Sequence, residues 1–384
     1  MIAIQIGEKV LSQEFDENTY QCIGCGVPIQ TTDSNKLGYL PLTAFTKGLE
    51  QNQFYCQRCF RLRNYNEIGD LSLSEDVFLE KLSTIAEDEA FVVKVVDIFD
   101  VEGSIISGLS RFIGDQPFIV VVNKMDLLPK SVKHSRIIHW LKEILHQIGL
   151  KPAEILLLSA NKRNSLAPLI EIIDREVRHR NVYIVGVTNV GKSTLINQLI
   201  QHYGGEKEII TTSNVPGTTL DLIHIPLTDS TGIVDTPGII RDTQLAHFLD
   251  RKGMKILLPS KPIKPRTFQM NSSQTLFVGG VARFDFVSGQ KTAFTFYLSN
   301  EAYLHRTKLE AADKFYDKHR GGLLTPPYLG QQPTFPELYP RDLKLEENQD
   351  LAISGLGWLT VNHKVNLRVW LPKGVGVTIR KSMI

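Results

Sequence analysis

The octapeptide Gly186-Val187-Thr188-Asn189-Val190-Gly191-Lys192-Ser193 constrains the fold of this 384-residue chain more than any other segment. It fits the pattern GxxxxGK(S/T), in which glycines let the backbone wrap closely and aim N–H groups at phosphate oxygens. An apolar run at 182–185 precedes it and a helical pattern spans 193–202, the strand–loop–helix setting a phosphate loop requires. Lys192 would pair with the β- and γ-phosphates, and the Ser193 hydroxyl would ligate Mg²⁺. Such loops sit at the C-terminal ends of strands in open α/β sheets.

Four further segments belong with it. Asn123-Lys124-Met125-Asp126 closes the apolar run 118–122 and matches NKxD. The Asp126 carboxylate can accept from guanine N1–H and its 2-amino group; adenine lacks that donor pair, so such a pocket rejects ATP. Asn123 and Lys124 buttress the loop and the base. Ser159-Ala160 ends the next run, 155–158, where an SA pair contacts guanine O6. Asp235-Thr236-Pro237-Gly238 follows the run 232–234 and matches DxxG. Asp235 would hold Mg²⁺ through water, and the Gly238 N–H would sense a γ-phosphate whose loss releases the loop behind it. Pro216-Gly217-Thr218-Thr219 occupies the first-switch position, with Thr219 or its neighbour Thr218 as the Mg²⁺ ligand. The nucleotide contacts expected around these are Gly186, Val190, Gly191 and Thr194. Where many GTPases carry Gln after DxxG to orient the attacking water, this chain has Ile239 and then Ile240, so intrinsic hydrolysis should be slow or take another route.

The order of these motifs is unusual, because NKxD and SA precede the phosphate loop, the first switch and DxxG. Read from residue 91 the elements run as the second half of a G domain, and from residue 181 as the first half. The join is a helical pattern at 166–177 and the basic turn 178–180. Domain termini often lie close together, so packing survives such a cut. The near-continuous apolar runs 91–96, 118–122, 155–158 and 182–185 suit a parallel sheet covered on both faces. Helical patterns at 104–113, 134–148, 166–177 and 193–202 alternate with them. The expected fold class is α/β: a circularly permuted P-loop GTPase domain, ordered G4-G5-G1-G2-G3, at residues 71–258. It is flanked by a small four-cysteine zinc-finger module at 1–70 and a mainly β C-terminal domain at 259–384.

All four cysteines lie in the first 60 residues, as Cys22-Ile23-Gly24-Cys25 and Cys56-Gln57-Arg58-Cys59. Four thiolates can close a tetrahedral, structural Zn²⁺ site, and metal would supply folding energy to a segment poor in apolar residues. A redox pair is the rival reading. Arg58, Arg61, Leu62, Arg63, Asn64 and Tyr65 either contact RNA phosphate and base or form a solvated face.

Residues 255–384 carry 18 Lys and Arg against 10 Asp and Glu while the whole chain is only +2, so the basic excess is C-terminal and points to a polyanionic partner. No apolar run approaches the roughly 20 residues that cross a bilayer. The first 20 residues hold four acids and no apolar core of a signal peptide, so a cytoplasmic protein is expected. Residues 261–265 read as a linker. Strands are expected at 275–278, 293–298, 351–353, 358–361, 367–371 and 375–379, a helical insertion at 301–319, and loop over 330–350.

Taken together, the cysteine knuckles with CQRCFRLRNYN, then VVDIFDVEGS, NKMD, SA, GVTNVGKS, PGTT and DTPG resemble the YqeH-like bacterial GTPases. The likeness spans nearly the whole chain and includes residues 279–285 and 354–358. It implies GTP hydrolysis, a role in small (30S) ribosomal subunit assembly, a treble-clef-like zinc module, and a C-terminal domain similar to a β-rich RNA- or peptide-binding protein. Likeness to translation GTPases with PGTT favours Thr219 over Thr218. GTPases with a hydrophobic residue after DxxG and Asn at the Asn189 position can bind K⁺ beside the phosphates, which makes Asn189 a catalytic candidate with Lys192, Thr219, Asp235 and Gly238; a turn residue is the alternative. Asp97 and Asp100 of DIFD either act in catalysis or shape a turn, with Asp100 or Ser104 near a helix cap.

The reading is a GTP-binding and GTP-hydrolysing switch that binds the small ribosomal subunit or its rRNA, with no membrane or DNA partner. GTP/GDP, Mg²⁺ and Zn²⁺ are the expected ligands, with K⁺ a further one. The alternative is a GTP-stabilised RNA or protein scaffold with incidental hydrolysis. Movement of the DxxG loop is expected to reach the C-terminal domain through the linker at 261–265, leaving the zinc module less directly coupled.

Overall fold

The computed structural model describes residues 5–6, 9–10, 20–23, 27–33, 38–51, 53–57, 59–60, 72–73, 84–106, 108–204, 222–236, 238–239, 241–331 and 335–384. Near the N-terminus, helix α1 (Leu42–Gln51) lies beside Cys22, Cys56 and Cys59. Phe45, Phe54 and Tyr20 stack around it with ring centroids 4.6–5.5 Å apart, a miniature core. The two-residue strand β1 (Ser72–Leu73) follows.

The middle of the chain alternates strand and helix as its apolar periodicity requires. It runs β2 (Ala90–Asp97), α2 (Val101–Ser104), α3 (Leu109–Ile113), β3 (Phe118–Asn123), α4 (His134–Gln147), β4 (Ile155–Leu157), α5 (Ala167–Glu176), β5 (Asn181–Val185) and α6 (Lys192–Gly204). Then come β6 (Ile223–Pro226), β7 (Gly232–Asp235), β8 (Gly238–Ile239) and α7 (Arg251–Leu257). Six strands form one sheet in the order β4-β3-β2-β5-β7-β6, parallel throughout except for β6 against β7. Every residue of β2 and β3 is buried, as strands covered on both faces must be. The helix expected at 104–113 is two short helices broken after Ser104, where the chain leaves α2 in extended geometry at Ile105.

The remainder is a β-sandwich of two five-stranded antiparallel sheets. Its strands are β9 (Arg266–Met270), β10 (Gln274–Val278), β11 (Ala282–Gly289), β12 (Thr292–Leu298), β13 (Leu304–Lys308), β14 (Leu338–Leu345), β15 (Gln349–Ile353), β16 (Gly357–Val361), β17 (Val365–Pro372) and β18 (Val377–Lys381). The sheets run β9-β12-β16-β15-β18 and β13-β10-β11-β17-β14. The helical insertion is shorter than expected: β13 occupies its first part, and helix α8 spans only Ala312–His319. The stretch expected as loop contains β14, whose outward residues are polar and which pairs along its whole length with β17.

The two large cores interlock. Tyr297, Ala352, Trp358 and Met383 of the sandwich pack into the core of the six-stranded sheet, while Leu245, Leu249 and Leu257 pack into the sandwich core. The segment at 261–265 is fixed in place: Ile263 is buried and its N–H donates to the Leu127 carbonyl. A tether that moves freely does not describe it. Within the middle unit β1 pairs in parallel with β8, Ser72 opposite Gly238.

Candidate functional site

Three loops meet at the C-terminal ends of β5, β3 and β7. The phosphate loop leaves β5 and enters α6. Asn189 takes a positive φ of 66° and Gly191 one of 85°. A Cβ on Gly191 would stand 2.4 Å from the Asn123 amide nitrogen, so that glycine is required both by its dihedral and by close approach.

Asn123 ties the loops together. Its amide donates to the Val190 carbonyl at 2.8 Å, and its oxygen accepts from the N–H groups of Lys124 and Ala160, both at 2.8 Å. Lys124, itself at φ 65°, reaches the Asn189 carbonyl and the Asp97 carboxylate, the latter at 2.7 Å. The Asp126 N–H donates to the Ser159 hydroxyl at 3.0 Å, and Ser165 braces Ser159 from the other side. Lys124, Asp126, Ala160, Gly191 and Thr194 line a cavity of about 240 Å³ together with Pro259 and Ser260. Sequence reasoning missed those last two residues. No motif marks them, and only the docking of 259–263 against the NKxD loop brings them there.

At the phosphate end, the Lys192 ammonium donates to the Asp235 carboxylate and the Thr236 carbonyl. Asp235 is fully buried at the end of β7, and Ser193 stands in the first turn of α6. A hydroxyl and a carboxylate are hard oxygen donors of the kind Mg²⁺ takes. Gly186 opens the loop against Val190. Gly238 lies in β8. Thr218 and Thr219 lie outside the described residues, as do Pro237 and Ile240.

Cys22, Cys56 and Cys59 are buried with their sulfurs all within 4.8 Å of one another. The Cys56 N–H also points at the Cys22 sulfur, at 3.2 Å. Three converging thiols from two CxxC knuckles form a set that fits a tetrahedral thiophilic metal and can hold one. Cys25 lies outside the described residues, as do Arg58 and the basic stretch 61–65.

Asp97 and Asp100 sit at the end of β2. Asp100 caps α2, accepting from the Gly103 N–H at 3.1 Å, as expected of a turn residue. It does more than cap, because Ser354, Gly355 and Gln244 also donate to it. Burial, with the charges of Asp97 and Glu102 adding to it, pushes its carboxyl up to about 6, against the pull of the Ser354 and Gly103 hydrogen bonds.

The sheet, the loop at the end of β5 and the NKxD loop locked to it define a P-loop GTPase domain. Residues 291–383 match the sequence profile of the family described as YqeH-like, C-terminal, and residues 181–261 match the one described as 50S ribosome-binding GTPase. A Bacillus subtilis protein, "Uncharacterized protein YqeH", is 50% identical over 94% of this chain and 99% of its own. NO-associated protein 1, chloroplastic/mitochondrial, of Arabidopsis thaliana is 28% identical over 98% of this chain and 78% of its own. Nitric oxide-associated protein 1 of Homo sapiens is 26% identical over 94% and 74%. The chain belongs to the YqeH-like family and is a GTPase, whose domain uses GTP and GDP with Mg²⁺. Among the described residues no helix is long and apolar enough to cross a membrane.

Proposed function

We propose that this GTPase is a cytoplasmic switch in assembly of the small (30S) ribosomal subunit. The observation that carries this reading is the locking of the guanine-reading and phosphate loops through Asn123 and Lys124, in a chain half identical to YqeH along almost its full length. We read the chain as three units at 1–70, 71–258 and 259–384. The middle unit is a circularly permuted G domain, which is supported by β2 and β5 lying side by side at the centre of the sheet although NKxD comes first in the chain.

In this reading Asp126, with Asn123, Lys124, Ser159 and Ala160, holds guanine. Gly186, Asn189, Val190, Gly191, Lys192, Ser193 and Thr194 hold the phosphates. Lys192 is neutralised by Asp235 in the structure. Bound phosphates would take the Lys192 ammonium from Asp235, and Ser193 and Thr219, with Thr218 beside it, would hold Mg²⁺ together with Asp235 acting through water. Bound Mg²⁺ supplies charge neutralisation to the phosphates. Gly238 then turns toward the γ-phosphate, and the loop behind it carries the signal. Asn189 stands in the phosphate loop at positive φ, and we assign it a K⁺ position. Cys22, Cys25, Cys56 and Cys59 hold Zn²⁺, and the flanking units meet rRNA or ribosomal protein. A second reading, a GTP-stabilised scaffold, is favoured by Ile239 at the position of the water-orienting Gln.

GTP turnover in K⁺ or Na⁺, with and without purified 30S or 50S particles, tests the reading beside a Lys192→Ala control. Stimulation by K⁺ and by 30S particles, absent in the control, is the expected result. Stimulation by 50S particles alone would move the partner to the large subunit. Flat turnover despite tight GTP binding would leave the scaffold.

A further inference from the structure

The four residues Asp97-Ile98-Phe99-Asp100 touch three parts of the molecule at once. At one end, Asp97 is 6% exposed and accepts from the Lys124 ammonium at 2.7 Å and from the Phe99 N–H at 2.9 Å. Lys124 in turn grips the phosphate loop at the Asn189 carbonyl. At the other end, Asp100 accepts from the Ser354 hydroxyl at 3.1 Å and the Gly355 N–H at 2.9 Å, both on the turn between β15 and β16 of the sandwich. The same carboxylate accepts from the Gln244 amide at 3.0 Å, and Gln244 stands six residues beyond the glycine of DxxG.

That third part is itself clamped. The Leu245 N–H donates to the Ser354 carbonyl at 2.8 Å, the Gly376 N–H to the Thr243 carbonyl at 2.8 Å, and the Ser354 N–H to the Gly376 carbonyl at 3.0 Å. Residues 243–245 thus run between two turns of the sandwich. The loop between the two aspartates is held on both sides. Ser104 braces it through the Asp97 N–H and the Asp100 carbonyl, and Phe99 packs on Trp358 with ring centroids 6.2 Å apart. The space is filled as well as bonded: a Cβ on Gly103 would lie 2.2 Å from the Ser354 hydroxyl, and one on Gly357 3.1 Å from the Phe99 ring. A buried carboxylate with four donors, as Asp100 is, holds a single arrangement, because each donor left behind costs its desolvation.

We propose that residues 97–100 are the coupler between the nucleotide site and the C-terminal sandwich: Asp97 is a positioning residue for the guanine-reading Lys124, and Asp100 pins the sandwich to the segment that follows DxxG. This rests on the switch reading above and gives it a route. When Gly238 moves, the strain arrives at Thr243–Leu245 and is delivered to the turns at 354 and 376 through hydrogen bonds rather than through the segment at 261–265.

Hydrogen exchange of the full-length protein, bound to GDP or to a non-hydrolysable GTP analogue, tests the coupler. The wild type should show exchange at 353–358 and 374–377 that differs between the two nucleotides by about fivefold or more, the lower end of ordinary couplings. Gln244→Ala touches no nucleotide. It should keep GDP affinity and erase that difference, and Ser354→Ala should do the same if the first variant proves unstable. Asp97→Asn should raise KM for GTP several-fold with kcat nearly unchanged, whereas a purely structural role would lower the unfolding midpoint and leave KM alone. Equal exchange in both nucleotide states of the wild type, or a difference that persists in both Gln244→Ala and Ser354→Ala, overturns the coupler. Either could occur in a protein that still turns over GTP on 30S particles, so its failure is separable from failure of the switch.

Discussion

Asp100 shows how much one side chain can carry. Its carboxyl sits near 6 because it is buried beside Asp97 and Glu102. The sign of the consequence follows from linkage. The folded protein binds this proton up to about pH 6, whereas the unfolded chain releases it near pH 4. Ionising Asp100 therefore costs stability as pH rises through that window, by about 3 kcal/mol at the upper limit. Asp100→Asn does not titrate. Relative to wild type it should gain stability between pH 4 and 7, although it weakens the grip on Ser354 and Gln244 at neutral pH. Urea unfolding of both proteins across that range measures it, and a constant offset would show that Asp100 does not titrate there. Lys94 is the counterpart in the sheet, a lysine 2% exposed whose ammonium has no hydrogen-bond partner among the described residues. Burial drives its pKa well below the ordinary value, with Arg241 adding to the effect.

Among elements, β16 joins the two large cores, as β12 and β15 do through Tyr297 and Ala352. Leu359 and Val361 face the sandwich core, while Trp358 on the opposite face stacks on Tyr297 at 4.9 Å and enters the core of the six-stranded sheet. The alternation of a strand makes this possible, since successive side chains point to opposite faces. Arg380 on β18 adds an ion pair to Glu102 and lies 4.7 Å over the Trp140 ring of α4, whose indole N–H donates to the Lys381 carbonyl. Trp358→Ala should cost about 3–5 kcal/mol, the range for emptying a buried aromatic site. It should also split unfolding: calorimetry should show one transition in the wild type and two in the variant. A single transition in both would mean that the polar contacts suffice to hold the cores together.

At the scale of the molecule, the N-terminal module contrasts with this interlock. Its core is Cys22, Val27, Ile29, Leu40, Phe45, Phe54, Cys56 and Cys59, and it shares no member with the two large cores. In the zinc reading proposed above, metal supplies folding energy to so small a core. Cys56→Ser should lose about one equivalent of zinc and the exchange protection of residues 20–60, with GDP affinity held within about twofold. A large loss of GDP affinity would mean that the module supports the G domain more than its contacts suggest.

The sequence by itself marked the loops that the fold brings together at the ends of β3, β5 and β7. Phosphate loop, NKxD, SA and DxxG are short contiguous patterns, because backbone cradles and strand-end turns are local structures, and periodicity fixed the strands β2, β3, β4 and β5 that present them. The convergence of Cys22, Cys56 and Cys59 was legible for the same reason. Tertiary structure alone decided the rest. The sandwich strands β9, β11, β13 and β14 went unread, because charged and polar side chains interrupt their apolar positions and break the simple pattern. Asp100 read as a cap because capping is local, whereas its partners Gln244 and Ser354 lie 144 and 254 residues away. Nothing in either neighbourhood signals the other, so only packing of the sandwich against the sheet revealed that the two ends of the chain are one joint.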